Sequence, residues 1–108
     1  MYVSVTGLRV LPGQRLRFHW HAFRSMIQAR SATGNTFADA RMRNGVQHTL
    51  TVWGDREAMR AYLVSGAHLK AMKAFRTIGH GKVVGYEASV VPSWDEALAK
   101  WDSEAREV

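Results

Sequence analysis

Asn44-Gly45 lies between two β-prone runs, and no other short signal in the chain restricts its fold so tightly. Both positions tolerate the positive φ angles of a type I′ turn, so residues 36–43 and 46–53 are predicted to fold back as an antiparallel hairpin. Residues 36–43 alternate Ala38, Ala40 and Met42 with Phe37, Asp39, Arg41 and Arg43, the pattern of a half-buried strand. Residues 46–53 read VQHTLTVW, a β-branched run.

One β-α unit is predicted on each side of this hairpin. Residues 2–10 carry Val3, Val5 and Val10 among Tyr and Thr, and Leu11-Pro12-Gly13 ends the strand. Between residues 14 and 30 the apolar residues Leu16, Trp20, Phe23 and Ile27 recur at helical spacing, which predicts an amphipathic helix with that stripe turned inward. After the hairpin, Asp55 caps a helix holding Met59, Tyr62 and Leu63. Ser65-Gly66 interrupts it, and a helical period resumes over 67–75 through Leu69 and Met72. Gly79-His80-Gly81 is expected to break the chain before a last strand over 82–91. Pro92 stops that strand, and Ser93 with Glu96 forms a capping box for a helix with Trp94, Leu98 and Trp101. The predicted class is α+β: a ferredoxin-like βαββαβ domain over residues 1–108, with a four-stranded antiparallel sheet and a C-terminal helical tail over 91–108.

Helices on one sheet face leave the other uncovered. The semi-polar row Gln47, Thr49, Thr51 and Trp53 is assigned to that bare face, where a second copy of the sheet is the economical cover and Trp53 would sit in a homodimer contact.

Composition excludes more than it selects. Hydrophobic residues make up 46% and charged residues 22%, which is a globular rather than a disordered balance. Cysteine is absent, removing thiolate metal sites, iron–sulfur clusters and thiol nucleophiles. No apolar run reaches the ~20 residues of a membrane span and no basic-then-apolar leader is evident, so a cytoplasmic protein without a membrane partner is expected. Before residue 46 seven arginines face one acid, Asp39, so the whole formal charge of +6 lies there. Most of these arginines are expected to be solvated or paired with the acidic tail.

The stretch His48 to Met72, HTLTVWGDREAMRAYLVSGAHLKAM, resembles the strand–Trp–acidic cap–helix–Ser–helix segment of the antibiotic-biosynthesis-monooxygenase-like proteins, and a looser likeness extends to Val91. A weaker similarity is to spheroidene-monooxygenase-like proteins. The family resemblance implies a dimeric α/β barrel and, among its activities, cofactor-independent oxygenation of polycyclic aromatics or heme breakdown. The heme-degrading pattern needs a strand Asn, a helical Trp and a His ligand; these fall on Thr6, Tyr62 and Met72, and all three differ. No cofactor is therefore expected, with heme kept only as a flat ligand that would fit.

A pocket between sheet and helices is predicted from strand parity and helical spacing. His48, Leu50 and Val52 share one face, with Thr6 and Leu8 assigned to it, while Trp20, Phe23, Ile27, Tyr62, Leu69 and Met72 point inward. Such a set also describes a plain hydrophobic core. The candidate catalytic residues are His48, His68 and Tyr62. A neutral imidazole can take a proton from a phenol or enol, giving an electron-rich anion able to reduce O₂ without a metal, and a tyrosine hydroxyl can stabilise the oxyanion. Thr6, Trp20, Phe23, Leu50 and Met72 would line the substrate, and Arg41 would attract a carboxylate from the strand edge. No metal site is expected: His19 and His21 are two residues apart on a helix and do not share a side.

Two other classes compete with a monooxygenase of small, flat, hydrophobic aromatic or polyene compounds. One is a homodimer that binds heme or another small molecule without turnover, or is purely structural. The other is an RNA-binding domain, which shares the βαββαβ order. Tyr2 suits a stacking ring, but the third strand carries no aromatic until Trp53, so nucleic acid is not the expected partner.

Overall fold

A computed structural model describes residues 1–107. The elements run β1 Tyr2–Val10, α1 Arg15–Ser31, β2 Asn35–Arg43, β3 Val46–Trp53, α2 Arg56–Leu63, α3 Gly66–Ile78, β4 Gly79–Glu87, α4 Trp94–Glu104 and β5 Arg106–Glu107. The sheet is antiparallel in the order β2-β3-β1-β4-β5, the ferredoxin-like order extended by a two-residue edge strand. Asn44 and Gly45 take φ angles of 53° and 76°, the left-handed pair that a two-residue hairpin requires. Asp55 caps α2 by accepting from the Ala58 N–H at 2.8 Å, and Ser93 caps α4 by accepting from the Glu96 N–H at 3.1 Å.

The last strand begins earlier than its glycines suggest. Gly79 pairs with Val10 and Gly81 with Leu8, so Gly79-His80-Gly81 belongs to β4 rather than to a break. A Cβ on Gly79 would collide with the Arg9 carbonyl oxygen, so the glycine serves a close backbone approach inside the sheet.

Register sorts the strand residues into two faces. Val3, Val5 and Gly7 lie opposite Val52, Leu50 and His48 on β3, and opposite Tyr86, Val84 and Lys82 on β4. Tyr2, Ser4 and Thr6 lie opposite Trp53, Thr51 and Thr49, on the other side. Thr6 and Leu8 therefore do not share a face with His48, contrary to the parity assigned from the sequence. Because β1 and β3 pair antiparallel with Thr6 against Thr49, odd positions of one strand face the same way as even positions of the other.

Which face takes the helices is also reversed. Trp53, expected in a dimer contact, is completely buried and clusters with Ala29 of α1 and with Met59 and Tyr62 of α2. The semi-polar Gln47–Trp53 row thus looks toward α1–α3 and is not bare. The opposite face holds the buried core of Val3, Val5, Leu50, Val52 and Val84, and α4 covers it through Ala97, Trp94 and Trp101. The tail helix is pinned there by its two indoles: Trp94 Nε1–H donates to Asp39 Oδ2 at 2.9 Å and Trp101 Nε1–H to the Lys82 carbonyl at 3.0 Å. An Arg43–Asp102 ion pair of 3.0 and 2.5 Å ties the end of α4 to β2.

The apolar stripe of α1 faces outward. Leu16 is 87% exposed, Trp20 58%, Phe23 65% and Ile27 54%, and on α3 Met72 is 48% exposed. The buried positions of α1 are Ser25 and Ala29, small residues that let the helix approach its neighbours closely. Hydrophobic periodicity located the helix correctly and misjudged which side is packed.

Candidate functional site

The helix-facing side of the sheet carries a strip of hydroxyls at its centre. Ser4 lies opposite Thr51 and Thr6 opposite Thr49, so β1 and β3 place four hydroxyl groups side by side. Ser4 and Thr51 are buried, whereas Thr6 and Thr49 are half-buried and hydrogen-bond to each other. One hydroxyl of that pair donates to the other, which leaves a second proton free to meet an oxygen arriving from the helix side.

An aromatic column rises at the Trp53 end of this strip. The Trp53 and Tyr62 rings lie 5.0 Å apart between centroids, and Tyr62 and His68 lie 4.5 Å apart. The column runs from β3 through α2 to the first turn of α3. Local contacts fix each member. Tyr62 Oη–H donates to the Ser25 carbonyl at 3.0 Å, joining α2 to α1. The Gln28 side chain accepts from the His68 N–H at 3.0 Å and donates to the Ser65 carbonyl at 2.9 Å and Ser65 Oγ at 2.7 Å. One amide on α1 thereby holds the α2–α3 joint, where Gly66 sits at φ +47° with the Gln28 carboxamide against it.

Electrostatics assign the forms of these groups. Burial pushes the Tyr62 phenol well above its ordinary range, partly offset by its bond to Ser25, so it stays protonated and its proton is already committed. Burial lowers the His68 imidazole, with a smaller opposing effect from the Leu63 carbonyl. The contact of Nδ1 with that carbonyl is 3.4 Å long and favours the tautomer that leaves the Nε2 lone pair basic. At neutral pH His68 is a neutral base.

His48 occupies different surroundings. It is 1% exposed, on the α4 side of the sheet with Leu50. Its Nδ1–H donates to the Thr6 carbonyl at 3.0 Å, and Nε2 is buried without a hydrogen-bond partner among the described residues. Trp101 stands edge-on to the imidazole with centroids 4.7 Å apart, so the space beside it is filled by the tail helix. Desolvation lowers its pKa, opposed by the bond to Thr6. His48 is packed as a core histidine rather than set in a chamber.

Of the residues singled out from the sequence, the structure brings together Tyr62 and His68, on the same side of the sheet as Thr6. His48 and Leu50 lie on the opposite face. Trp20, Phe23 and Met72 point to solvent. Arg41 is exposed on edge strand β2 with its guanidinium 5.1 Å from the Trp94 ring centroid, so its neighbour is the tail helix. Ser4, Ser25, Gln28, Thr49 and Thr51 were not among the candidates. The paired strand hydroxyls had a readable signal, serine and threonine at alternate positions of two strands that flank the same sheet centre; Ser25 and Gln28 had none.

Known structures share this architecture. A Nitrosomonas europaea protein named as an antibiotic biosynthesis monooxygenase superposes with a TM-score of 0.75 at 16% identity, over 83% of this chain and 100% of its own. SnoaB, a cofactor-independent oxygenase from Streptomyces nogalater, gives 0.69 at 18% identity, over 85% of this chain and 97% of its own. A Mycobacterium tuberculosis protein gives 0.77 at 12% identity, over 85% and 98%. The fold is that of the antibiotic biosynthesis monooxygenases. No protein-family model and no curated protein sequence matches the chain. Within the antibiotic biosynthesis monooxygenase fold, the strip of hydroxyls and the column ending in His68 both belong to the sheet side that carries α1–α3. No group of three or more His, Cys, Asp or Glu side chains suited to a metal ion occurs among the described residues.

Proposed function

We propose that this chain is a cofactor-independent monooxygenase of small, flat, hydrophobic phenols or enols, bound between the strand hydroxyls and helices α1–α3. The observation that carries the reading is the pairing of a neutral, half-buried His68 with a column of packed rings on the side of the sheet that also bears half-buried Thr6 and Thr49. Trp53 and Thr49 are four residues apart on one strand, about 13 Å.

His68 Nε2 takes the proton of a substrate hydroxyl, leaving an electron-rich anion. The anion gives one electron to O₂, and the substrate radical and superoxide then join at the CH carbon conjugated with the oxyanion, which returns to a carbonyl; the imidazolium gives its proton to the outer peroxide oxygen, making a hydroperoxide. Loss of water from that hydroperoxide, taking the hydrogen of the same carbon, leaves a second carbonyl, so C–OH and its conjugated CH plus O₂ become two C=O groups plus H₂O. At the far end of the substrate the second hydroxyl proton of the Thr6–Thr49 pair meets a different oxygen. Tyr62 acts through His68 as a positioning residue, its hydroxyl being spent on Ser25. His48 takes no part. The SnoaB name supports an oxygenase that works without a cofactor.

The test is oxygen uptake with flat phenols of two to four fused rings, together with the absorbance of the carbonyl product. Wild-type protein is expected to consume O₂ in step with product. His68→Ala should fall to background while its melting temperature stays within a few degrees. Saturable binding of the same phenols with no O₂ uptake by wild type would replace the enzyme by a binding protein.

A further inference from the structure

The outward stripe of α1 is not needed for the core or for the proposed oxygenase site. Leu16, Trp20, Phe23 and Ile27 fall within about 60° of arc on the helix, given 3.6 residues per turn. By the same spacing Arg15 and Arg30 flank the stripe on one side and Arg17 and Arg24 on the other. All four arginines are exposed, and α1 contains no acidic residue. The Arg24 guanidinium lies 5.3 Å from the Trp20 ring centroid, and Trp20, His21, Arg24 and Lys70 line a shallow notch between α1 and α3.

Charge narrows the occupant of this surface. Two copies meeting through α1 would set arginine rows against arginine rows, which is repulsive. A row of Leu, Trp, Phe and Ile bordered on both sides by arginine matches a helix lying in the plane of an anionic lipid surface, with rings at the acyl boundary and guanidiniums at the phosphates. We propose that α1 is such an interfacial helix. Leu16, Trp20, Phe23 and Ile27 enter the boundary region, and Arg15, Arg24 and Lys70 engage lipid phosphates, while Arg17 is held by Gln14 and Thr77 and Arg30 by the Ala38 carbonyl. The expectation of no membrane partner rested on the absence of a spanning segment, which in-plane binding does not require. No helix among the described residues is long and apolar enough to cross a membrane.

Flotation of the full chain tests this, using phosphatidylcholine vesicles that contain about a third phosphatidylglycerol, beside pure phosphatidylcholine vesicles. The protein is expected to float with the anionic vesicles and to release as salt is raised. Phe23→Asp and Ile27→Asp should each weaken binding about tenfold or more without moving the melting temperature, because both side chains are already in water. Arg24→Gln should weaken binding to the anionic vesicles selectively. Failure to float on the anionic vesicles, or flotation unchanged by Phe23→Asp, would overturn the proposal. So would vesicle-free self-association that Phe23→Asp abolishes, since the stripe would then be a contact between copies.

Discussion

The Trp101 indole stands perpendicular to the His48 imidazole, planes at 85° and centroids 4.7 Å apart, directly above Gly7. A Cβ at Gly7 would collide with the Trp101 ring and lie 2.9 Å from His48 Cε1. Gly7→Ala is therefore expected to lift α4 from the sheet and cost about 1–3 kcal/mol, as overpacking does. Urea denaturation measures it, and a Gly7→Ala/Trp101→Ala double variant should lose less than the sum of the two single losses.

Acid should loosen the protein before its carboxylates titrate. Desolvation holds both His48 and His68 below the ordinary histidine value of 6.5 in the folded chain. Their neutral forms support the fold fully above that value, and the support is lost as pH falls from 6.5 toward the lowered folded values, where only the unfolded chain takes up the protons. Each such proton contributes a slope of about 1.4 kcal/mol per pH unit within the window. Melting temperature followed from pH 7.5 to 5 should drop, and His48→Gln should flatten the drop whatever it does to the plateau. A pH-independent wild type would contradict the burial of both rings.

Tyr62→Phe keeps the ring in the Trp53–His68 column and removes one hydrogen bond. A stability loss of about 1 kcal/mol is expected, since the Ser25 carbonyl loses its donor. If Tyr62 only positions His68, oxygen uptake should fall by a modest factor and Tyr62→Ala should fall much further. Equal losses in the two variants would make the hydroxyl itself a catalytic group.

Ending the chain after Val91 uncovers Val3, Val5, Leu50, Val52 and Val84. An apolar sheet face of this kind seeks a partner, so the shortened chain is expected to self-associate in sedimentation, through the face opposite to the one the sequence suggested. A shortened chain that stays monomeric and folded would show that α4 contributes little to covering it.

Element order was legible because the signals were local. The Asn44-Gly45 turn, the Asp55 and Ser93 caps and the β-branched run at 46–53 each act within a few residues. Facing was not. Gln47, Thr49, Thr51 and Trp53 were correctly grouped by parity, yet nothing local says whether α1–α3 or a second molecule covers that group. The relation of Thr6 to His48 depends on interstrand register, set by pairing partners more than forty residues apart. On α1 the rule that the apolar stripe turns inward failed because Ser25 and Ala29 provide a closer packing surface than Trp20 or Phe23. The aromatic column was half visible: Tyr62 and His68 were singled out, while Trp53, which supports them, was placed on the wrong side.

The covering of β1 by α4 also bears on how quickly the molecule can reach its final form. Val3 and Val5 are shielded by Ala97 and its neighbours, and the Met1 carbonyl accepts from the Ala88 N–H, so the central strand depends on residues nearly ninety positions away. Closing so large a loop precedes any gain from the contacts it makes. Assembly should accordingly be slow for a chain of this length, with the greasy inner strand open to wrong partners until the distant segment arrives.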